Sequence, residues 1–497
     1  MSRLYRNTSS WLIAYVAISM SAFASEETGE QRAELSIEAA VMHSLQNNRG
    51  LRVQQYGPII AGAFREIERG VYDPELYANV RFSEETATET ARSTGQQFSV
   101  EGTDADGAIG VRQRLPTGTE IDLSVRSDRS SSNRAPEQQQ ARLGLTLTQQ
   151  LLRGMGPAVN LAGIRQARFE ESASVYELRG YTESLVADVE IAYWEYAASI
   201  EAIRVYESSL SVAEQQLEAV LARIEFGDLP KQESAAARAE VAQRKQDLID
   251  AKSAQKRARY SFHRLVYPRL PAMDSSGPVL VSFNDERLYL ELDTINRMEL
   301  ALQSRPEIKE AESLLARDAL QTVVTRNGRL PRLELFINIG KSGYADTFRG
   351  SFRDSEGPSY DASVGLELTQ ALGNRAERAR DLVAKSTFEQ SQIALENLKD
   401  SVRYDVVLAV NELERSYSQI EASAETVRYR ELALEGFEDR FELGAATTLT
   451  VARAQRDLIA AQISQINARL DYLIAQVELL RSEGSLLDRR GIVSGEL

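Results

Sequence analysis

Residues 305 to 331 read RPEIKEAESLLARDALQTVVTRNGRLP, and they lie over residues 48 to 74, NRGLRVQQYGPIIAGAFREIERGVYDP. Each copy ends at a proline, Pro74 or Pro331, then runs through short alternating strands into a very long tract without proline. Further out the two halves still answer each other. Thr148-Gln149 matches Thr369-Gln370, and RIEFG (Arg223 to Gly227) matches RFELG (Arg440 to Gly444). An internal repeat states the architecture more firmly than any one residue does: the chain is a strand-plus-long-helix unit, duplicated.

The proline-free tracts are rich in Ala, Glu, Leu, Gln and Arg, which favour helix. A helix from Pro157 to Phe226 would be roughly 100 Å long at about 1.5 Å per residue, more than a compact core requires. Apolar residues recur at spacings of three and four. Leu210, Ala213, Leu217, Val220 and Ile224 do so in the first half, and Ile459, Ile463, Ile466, Leu470, Leu473, Val477 and Leu480 in the second. That is a coiled-coil seam.

Between each proline and its long helix the period drops to two. Leu333, Leu335, Ile337 and Ile339 alternate with polar or small residues, as do Val364, Leu366 and Leu368; in the first half the same holds for Leu76, Ala78, Val80, Phe82 and for Leu143, Leu145, Leu147. Such strands suit a transmembrane barrel, apolar toward lipid and polar toward a lumen, with Tyr77, Phe82, Tyr344, Phe348 and Tyr360 available as interfacial aromatics. They would also suit a small periplasmic sandwich.

The N-terminus supplies an address. Arg3 and Arg6 precede the apolar stretch Trp11 to Phe23, which is shorter than the ~20 residues of a membrane helix. Ala22-Phe23-Ala24 follows with small residues at the two positions a signal peptidase reads, so residues 1–24 are expected to be a signal peptide cleaved after Ala24. The chain has no cysteine, which excludes a lipidated cysteine and a disulfide framework. A net charge of -15 argues against nucleic acid as a partner. The two histidines, His43 and His263, have no metal-like partner at helical spacing, and neither a phosphate-binding loop nor a nucleophile elbow is present. No enzymatic activity and no cofactor are expected.

Two strands per half give four per chain, too few to close a barrel, so several chains must share one, and a trimer would hold twelve. The halves are unequal, however. Pro74 to Thr148 spans 74 positions against 38 from Pro331 to Thr369, and the surplus contains an alternating stretch around the turn Leu115-Pro116-Thr117-Gly118. This added hairpin is either an external decoration or two more wall strands; the ordinary four are favoured. Thr86 to Thr103 and Ser127 to Gln140, rich in Ser, Thr, Gln, Glu and Arg, read as exposed loops.

SRPEIKEAE opening the second repeat, LPRLEL entering a strand, GLELTQAL leaving one, and RFELGAATTLTVARAQRDL at a helix hairpin together resemble the outer-membrane efflux protein family, the TolC-like exit ducts, over essentially the whole mature chain. The resemblance implies an α+β membrane protein, a TolC-like homotrimer whose shared transmembrane β-barrel crosses the outer membrane and continues as a long α-helical barrel through the periplasm. It also implies an inner-membrane transporter and a periplasmic adaptor as partners, besides outer-membrane lipid. The expected layout is a first repeat at 25–267 with strands at about 75–150 and a helical hairpin at about 157–267. A linker at 268–300 would lie in an equatorial collar. A second repeat at 301–484 has strands at about 332–370 and a hairpin at about 374–483, and a tail covers 485–497.

Each long helix is expected to turn at Gly227 or Gly444 and return, with Asp228 and Pro230, or Thr447 and Thr448, restarting the helix. The tips, Phe226, Gly227 and Leu229 in one hairpin and Leu443, Gly444, Ala445 and Thr447 in the other, would then sit together far from the membrane. The resemblance makes that end the aperture and the adaptor-docking site. Glu233 stands six residues after the tip glycine, at a place where relatives carry carboxylates, whereas Thr450 and Arg453 stand where some relatives have aspartates. Asp228 and Glu233 are expected to face the entrance and pair with Arg223, Arg440 or Arg453. The lipid-facing set is Leu143, Leu145, Leu147, Leu333, Leu335, Ile337, Val364, Leu366 and Leu368. The competing reading is a periplasmic coiled-coil scaffold or adaptor that never enters the membrane.

Overall fold

The computed structural model describes residues 34–267, 279–280 and 293–492. The expected signal peptide, most of the linker and the last five residues of the tail lie outside these. In the first repeat β1 (Glu34–Leu35) leads to α1 (Ile37–Asn47), α2 (Arg49–Gln54) and α3 (Tyr56–Gly70). Four strands follow, β2 (Glu75–Thr90), β3 (Gln97–Arg114), β4 (Thr119–Ser132) and β5 (Ala135–Gln150), then α4 (Pro157–Asn160), α5 (Ala162–Glu225) and α6 (Glu233–Val266). After β6 (Val279–Leu280), which pairs with β1, come α7 (Thr294–Ser304), α8 (Pro306–Gly328), β7 (Arg332–Ala345), α9 (Phe348–Asp354) and β8 (Tyr360–Thr369). The chain ends with α10 (Arg375–Glu442), α11 (Thr448–Glu483) and α12 (Leu486–Arg489).

The helices form two stacked tiers beside two long rods. α5 with 64 residues and α10 with 68 are each roughly 100 Å long. Near the sheet, neighbouring helices run in the order α3, α5, α8, α10; away from it α6 packs on α5, and α11 lies against α5 and α10. So α3 and α6 together make one rod and α8 and α11 another, and with α5 and α10 the described residues form four rods. Asn48 shows how the first joint is held: its amide accepts from Leu51 N at 3.1 Å, capping α2, and donates to Leu265 O at 3.2 Å at the end of α6. At the second joint Arg305 Nε donates to Ser482 O at 3.0 Å, and Gly484, in the left-handed region at φ 69, lets the chain pass close to Arg305.

Both hydrophobic cores sit at this level. One gathers Leu51, Leu185, Val189, Tyr193, Phe262 and Leu486; the other gathers Ile308, Val402, Val406, Leu413, Tyr472 and Leu479. The expected seam points inward as well, with Ala213, Val220, Ile459 and Val477 buried. Beyond the joints the rods bury mainly small or β-branched residues against one another, among them Ala213, Val220, Ala237, Val427 and Val451.

The six large strands make one antiparallel sheet in the order β2-β3-β4-β5-β7-β8. This corrects the expectation of four strands: the surplus of the first half is a hairpin inserted in the middle of the sheet. The expected loops are corrected too. Thr86 to Thr90 pairs with Glu101 to Gln97, and Ser127 to Ser130 with Ala141 to Gln138, leaving only the short connections 91–96 and 133–134 unpaired. These stretches are polar on both faces, so composition makes them look like loops, yet pairing satisfies their backbone groups while both faces stay in water.

Candidate functional site

Directly opposed residues of an antiparallel pair share a face, so the register sorts the wall. One row runs Leu76, Val111, Leu123, Leu145, Ile339, Ala362 across all six strands, and the rows beside it carry Ala78, Ile109, Val125, Leu143 and Ile121, Leu147, Ile337, Val364. Leu333 and Leu335 oppose Leu368 and Leu366. All nine residues expected to face lipid thus lie on a single apolar face with Phe82 and Tyr360, and most of its large side chains are exposed in the single chain. Tyr77 and Tyr344 do not belong to an interfacial girdle there. They oppose Gly110 and Gln140 and point to the other face, because Tyr77 is odd where the apolar set of β2 is even and Tyr344 is even where that of β7 is odd.

That other face is polar and flat. Tyr77, Gly110, Ser124, Gly144, Gly340 and Asp361 stand in one row. Tyr77 crosses Gly110 to donate to Asp122 at 2.9 Å, where Arg112 also donates at 3.2 Å. A Cβ on Gly110 would lie 2.7 Å from the Tyr77 ring. In the same way Arg142 crosses Gly340 to a two-pronged pair with Asp361, at 3.0 and 2.6 Å. Glycines at this level let long side chains lie along the wall and tie strands two apart. The alternating glycines were visible in sequence, but which side chains span them was not.

At the far end of the rods Gly227 and Gly444 both take positive φ, 86 and 72, and reverse the chain as expected. The tips touch each other: the Arg223 guanidinium lies 5.1 Å above the Phe441 ring and reaches Phe441 O at 3.5 Å. Thr447 caps α11, accepting from Thr450 N at 3.3 Å, while Thr450 Oγ1 accepts from Thr447 N at 3.1 Å. Asp228 does not restart a helix, since α6 begins only at Glu233 with Gln232 at the cap position and no side-chain cap bond. Pro230 and Lys231 supply instead the carbonyls that accept from Glu233 N and Ser234 N. Among the described residues Asp228 and Glu233 form no ion pair with Arg223, Arg440 or Arg453. Arg223 and Arg440 turn to Phe441 and Phe437 instead. Phe226 and Leu443 are fully displayed, Gly227, Ala445 and Arg453 are exposed, and Leu229, Glu233 and Thr450 are half-buried.

Between wall and tips, at the level of the joints, charge is buried. Arg490 grips Glu190 with two bonds of 2.7 Å, Arg297 pairs with Glu483, and Glu183 accepts from Leu486 N at 3.0 Å. Burial pushes the Glu183 carboxyl up to about 7, with Glu307 adding to the rise and the Leu486 N–H, Arg179 and Arg305 opposing it. His43 and His263, remote in sequence, both pack against the Tyr267 ring, at 6.1 and 5.0 Å. Among the described residues no three potential metal ligands cluster, and no helix is long and apolar enough to cross a membrane.

The sequence profile of the outer membrane efflux protein family matches residues 112–266 and 298–485, one block in each repeat. The chain belongs to that family. It is 23% identical over 344 residues to the outer membrane efflux protein BepC of Brucella suis, covering 69% of this chain and 72% of that one. To the pyoverdine export outer membrane protein OpmQ of Pseudomonas aeruginosa it is 31% identical over 206 residues, 38% of this chain and 40% of the relative. Among solved structures it superposes on the Campylobacter jejuni CmeC outer membrane channel with a TM-score of 0.68 at 14% identity, covering 95% and 94% of the two chains. On VceC of Vibrio cholerae the TM-score is 0.67 at 16% identity, covering 90% of this chain and 96% of that one. As an outer membrane efflux protein the chain is located in the outer membrane and extends into the periplasm, and it is a conduit rather than a catalyst.

Proposed function

We propose that three copies of this efflux protein close head to tail into the outer-membrane exit duct of a tripartite efflux or type I secretion system. An inner-membrane transporter and a periplasmic adaptor would deliver cargo to the helix tips. The observation that carries this reading is that the two flanks of the chain are unlike and both unfinished. On one flank β2 is an edge strand, and α2 and α3 below it show an uncovered apolar stripe, Val53 on α2 with Tyr56, Ile60, Phe64 and Ile67 on α3. On the other, β8 is the opposite edge, and α10 below it exposes Leu382, Ile393 and Tyr404, eleven residues apart and hence on one face. Unpaired edges are not tolerated in lipid, and unlike flanks that fit each other generate a ring.

The aperture is the paired tips. Three Phe226 and three Leu443 side chains would converge there with Asp228 and Glu233 around the entrance, and the adaptor would seat on the exposed Phe226, Leu443, Gly444 and Ala445. The apolar face meets outer-membrane lipid and the polar face lines the lumen. Conduction needs no cofactor, since the energy comes from the transporter. Single-channel recording of the purified protein in a planar bilayer tests this: a small, steady conductance supports a duct nearly shut at its tips, and no channel activity contradicts it.

A further inference from the structure

We infer that the β3–β4 hairpin is membrane wall, so that six strands per chain and eighteen in the closed ring surround a lumen wider than a four-strand unit would give. The inference rests on the exit-duct reading. The hairpin cannot be an ornament on the sheet, because β3 and β4 are paired along their length to β2 and β5 as well as to each other. It also traverses the full height of the wall. Its turn is fastened at the helical end, where Asn160 donates to Pro116 O at 3.1 Å, Gly156 N to Thr117 O at 3.0 Å, and Gln150 N to Gly118 O at 3.0 Å. The connections 91–96 and 133–134 lie at the opposite end.

Its faces obey the same rule as the rest. Ala105, Ile109, Val111, Ile121, Leu123 and Val125 continue the apolar face, with Ile109 53% and Leu123 50% exposed, whereas a hairpin lying in water would gain nothing from that display. Arg112, Asp122, Arg126 and Asp128 fall on the polar face. An even number of strands keeps β8 antiparallel to the β2 of the next chain, so the ring can still close. The widths agree too. Six strands about 4.8 Å apart and tilted about 40° occupy roughly 38 Å of wall, and four helical rods about 9–10 Å apart occupy roughly 36–40 Å. The barrel would be about one and a half times as wide as one of twelve strands, since diameter grows nearly in proportion to strand number. A lumen of that width, lined by charges of both signs, suits bulky hydrated cargo.

The absence of native cysteine makes the test direct. The full chain carrying Ile109→Cys or Leu123→Cys is labelled with an environment-sensitive fluorophore and reconstituted in liposomes, with Leu145→Cys and Val364→Cys as references in β5 and β8. The expected result is loss of emission with nitroxide-bearing acyl chains, as deep for the hairpin positions as for the references, and no loss with aqueous iodide. Reference labels quenched by lipid beside hairpin labels quenched only by iodide would overturn the inference while leaving the duct standing. Iodide quenching at all four positions would overturn the duct reading and the inference with it.

Discussion

Asn48 and Arg305 hold equivalent places in the two repeats and do the same work with different chemistry, each donating a side-chain N–H to a carbonyl at the end of the returning helix. Two other residues carry predictions. At Gly110 any side chain meets the Tyr77 ring, so Gly110→Val should break the Tyr77–Asp122 bond and cost about 1–3 kcal/mol, read as a lower melting temperature of the detergent-solubilised protein. At Glu183 the carboxyl, raised by burial from 4.5 to about 7, holds its proton more tightly in the folded chain. Its contribution to stability is therefore full below the unfolded value and is lost as pH rises from about 4.5 to about 7, by up to about 3 kcal/mol. Glu183→Gln keeps an acceptor for the Leu486 N–H, so it should flatten the fall in melting temperature between pH 5 and pH 8; an unchanged slope would contradict the assignment. The overlay of residues 48 to 74 on 305 to 331 made the joint's position legible in sequence. Its bonds were not, because an asparagine and an arginine share little beyond a donor at the right height.

The long helices, their reversal at Gly227 and Gly444, and the apolar face of the wall were all legible, since period and glycine placement depend on local geometry. The extra strands were harder to read. Thr86 to Thr90 and Gln97 to Thr103 carry no sustained apolar face, only Phe98 and Val100 alternating briefly, so their partners reveal them as strands. The tip differed for a similar reason: sequence offers Arg223 several carboxylates, but the nearer group in space is the Phe441 ring. Arg223→Ala should accordingly loosen the pair of tips and raise single-channel conductance, whereas Asp228→Ala with Glu233→Ala changes conductance only if those carboxylates meet partners on neighbouring copies. Thr447→Val removes the hydroxyl that accepts from Thr450 N, one of the two bonds of the capping box at the start of α11, and should cost about 1 kcal/mol, seen as faster hydrogen exchange over residues 448 to 451.

One chain is a segment of wall with two raw flanks, and its stability as a whole depends on what covers them. The two large cores centre on the joints, while the rods beyond them bury smaller side chains and leave whole apolar faces open, so they rely on lateral packing between copies. A charge on the uncovered stripe should expose this: Phe64→Asp would leave the helical content of the chain intact by circular dichroism but abolish the oligomer, since the buried carboxylate has no partner. The inserted hairpin changes the width of this segment without changing its flanks, which is why an even addition of strands can be absorbed by a ring. The most direct measurement is native mass spectrometry of the mature protein released from detergent micelles. A mass of three chains is predicted, with no lighter species at working concentration; a single chain that stays in solution without detergent would contradict the account.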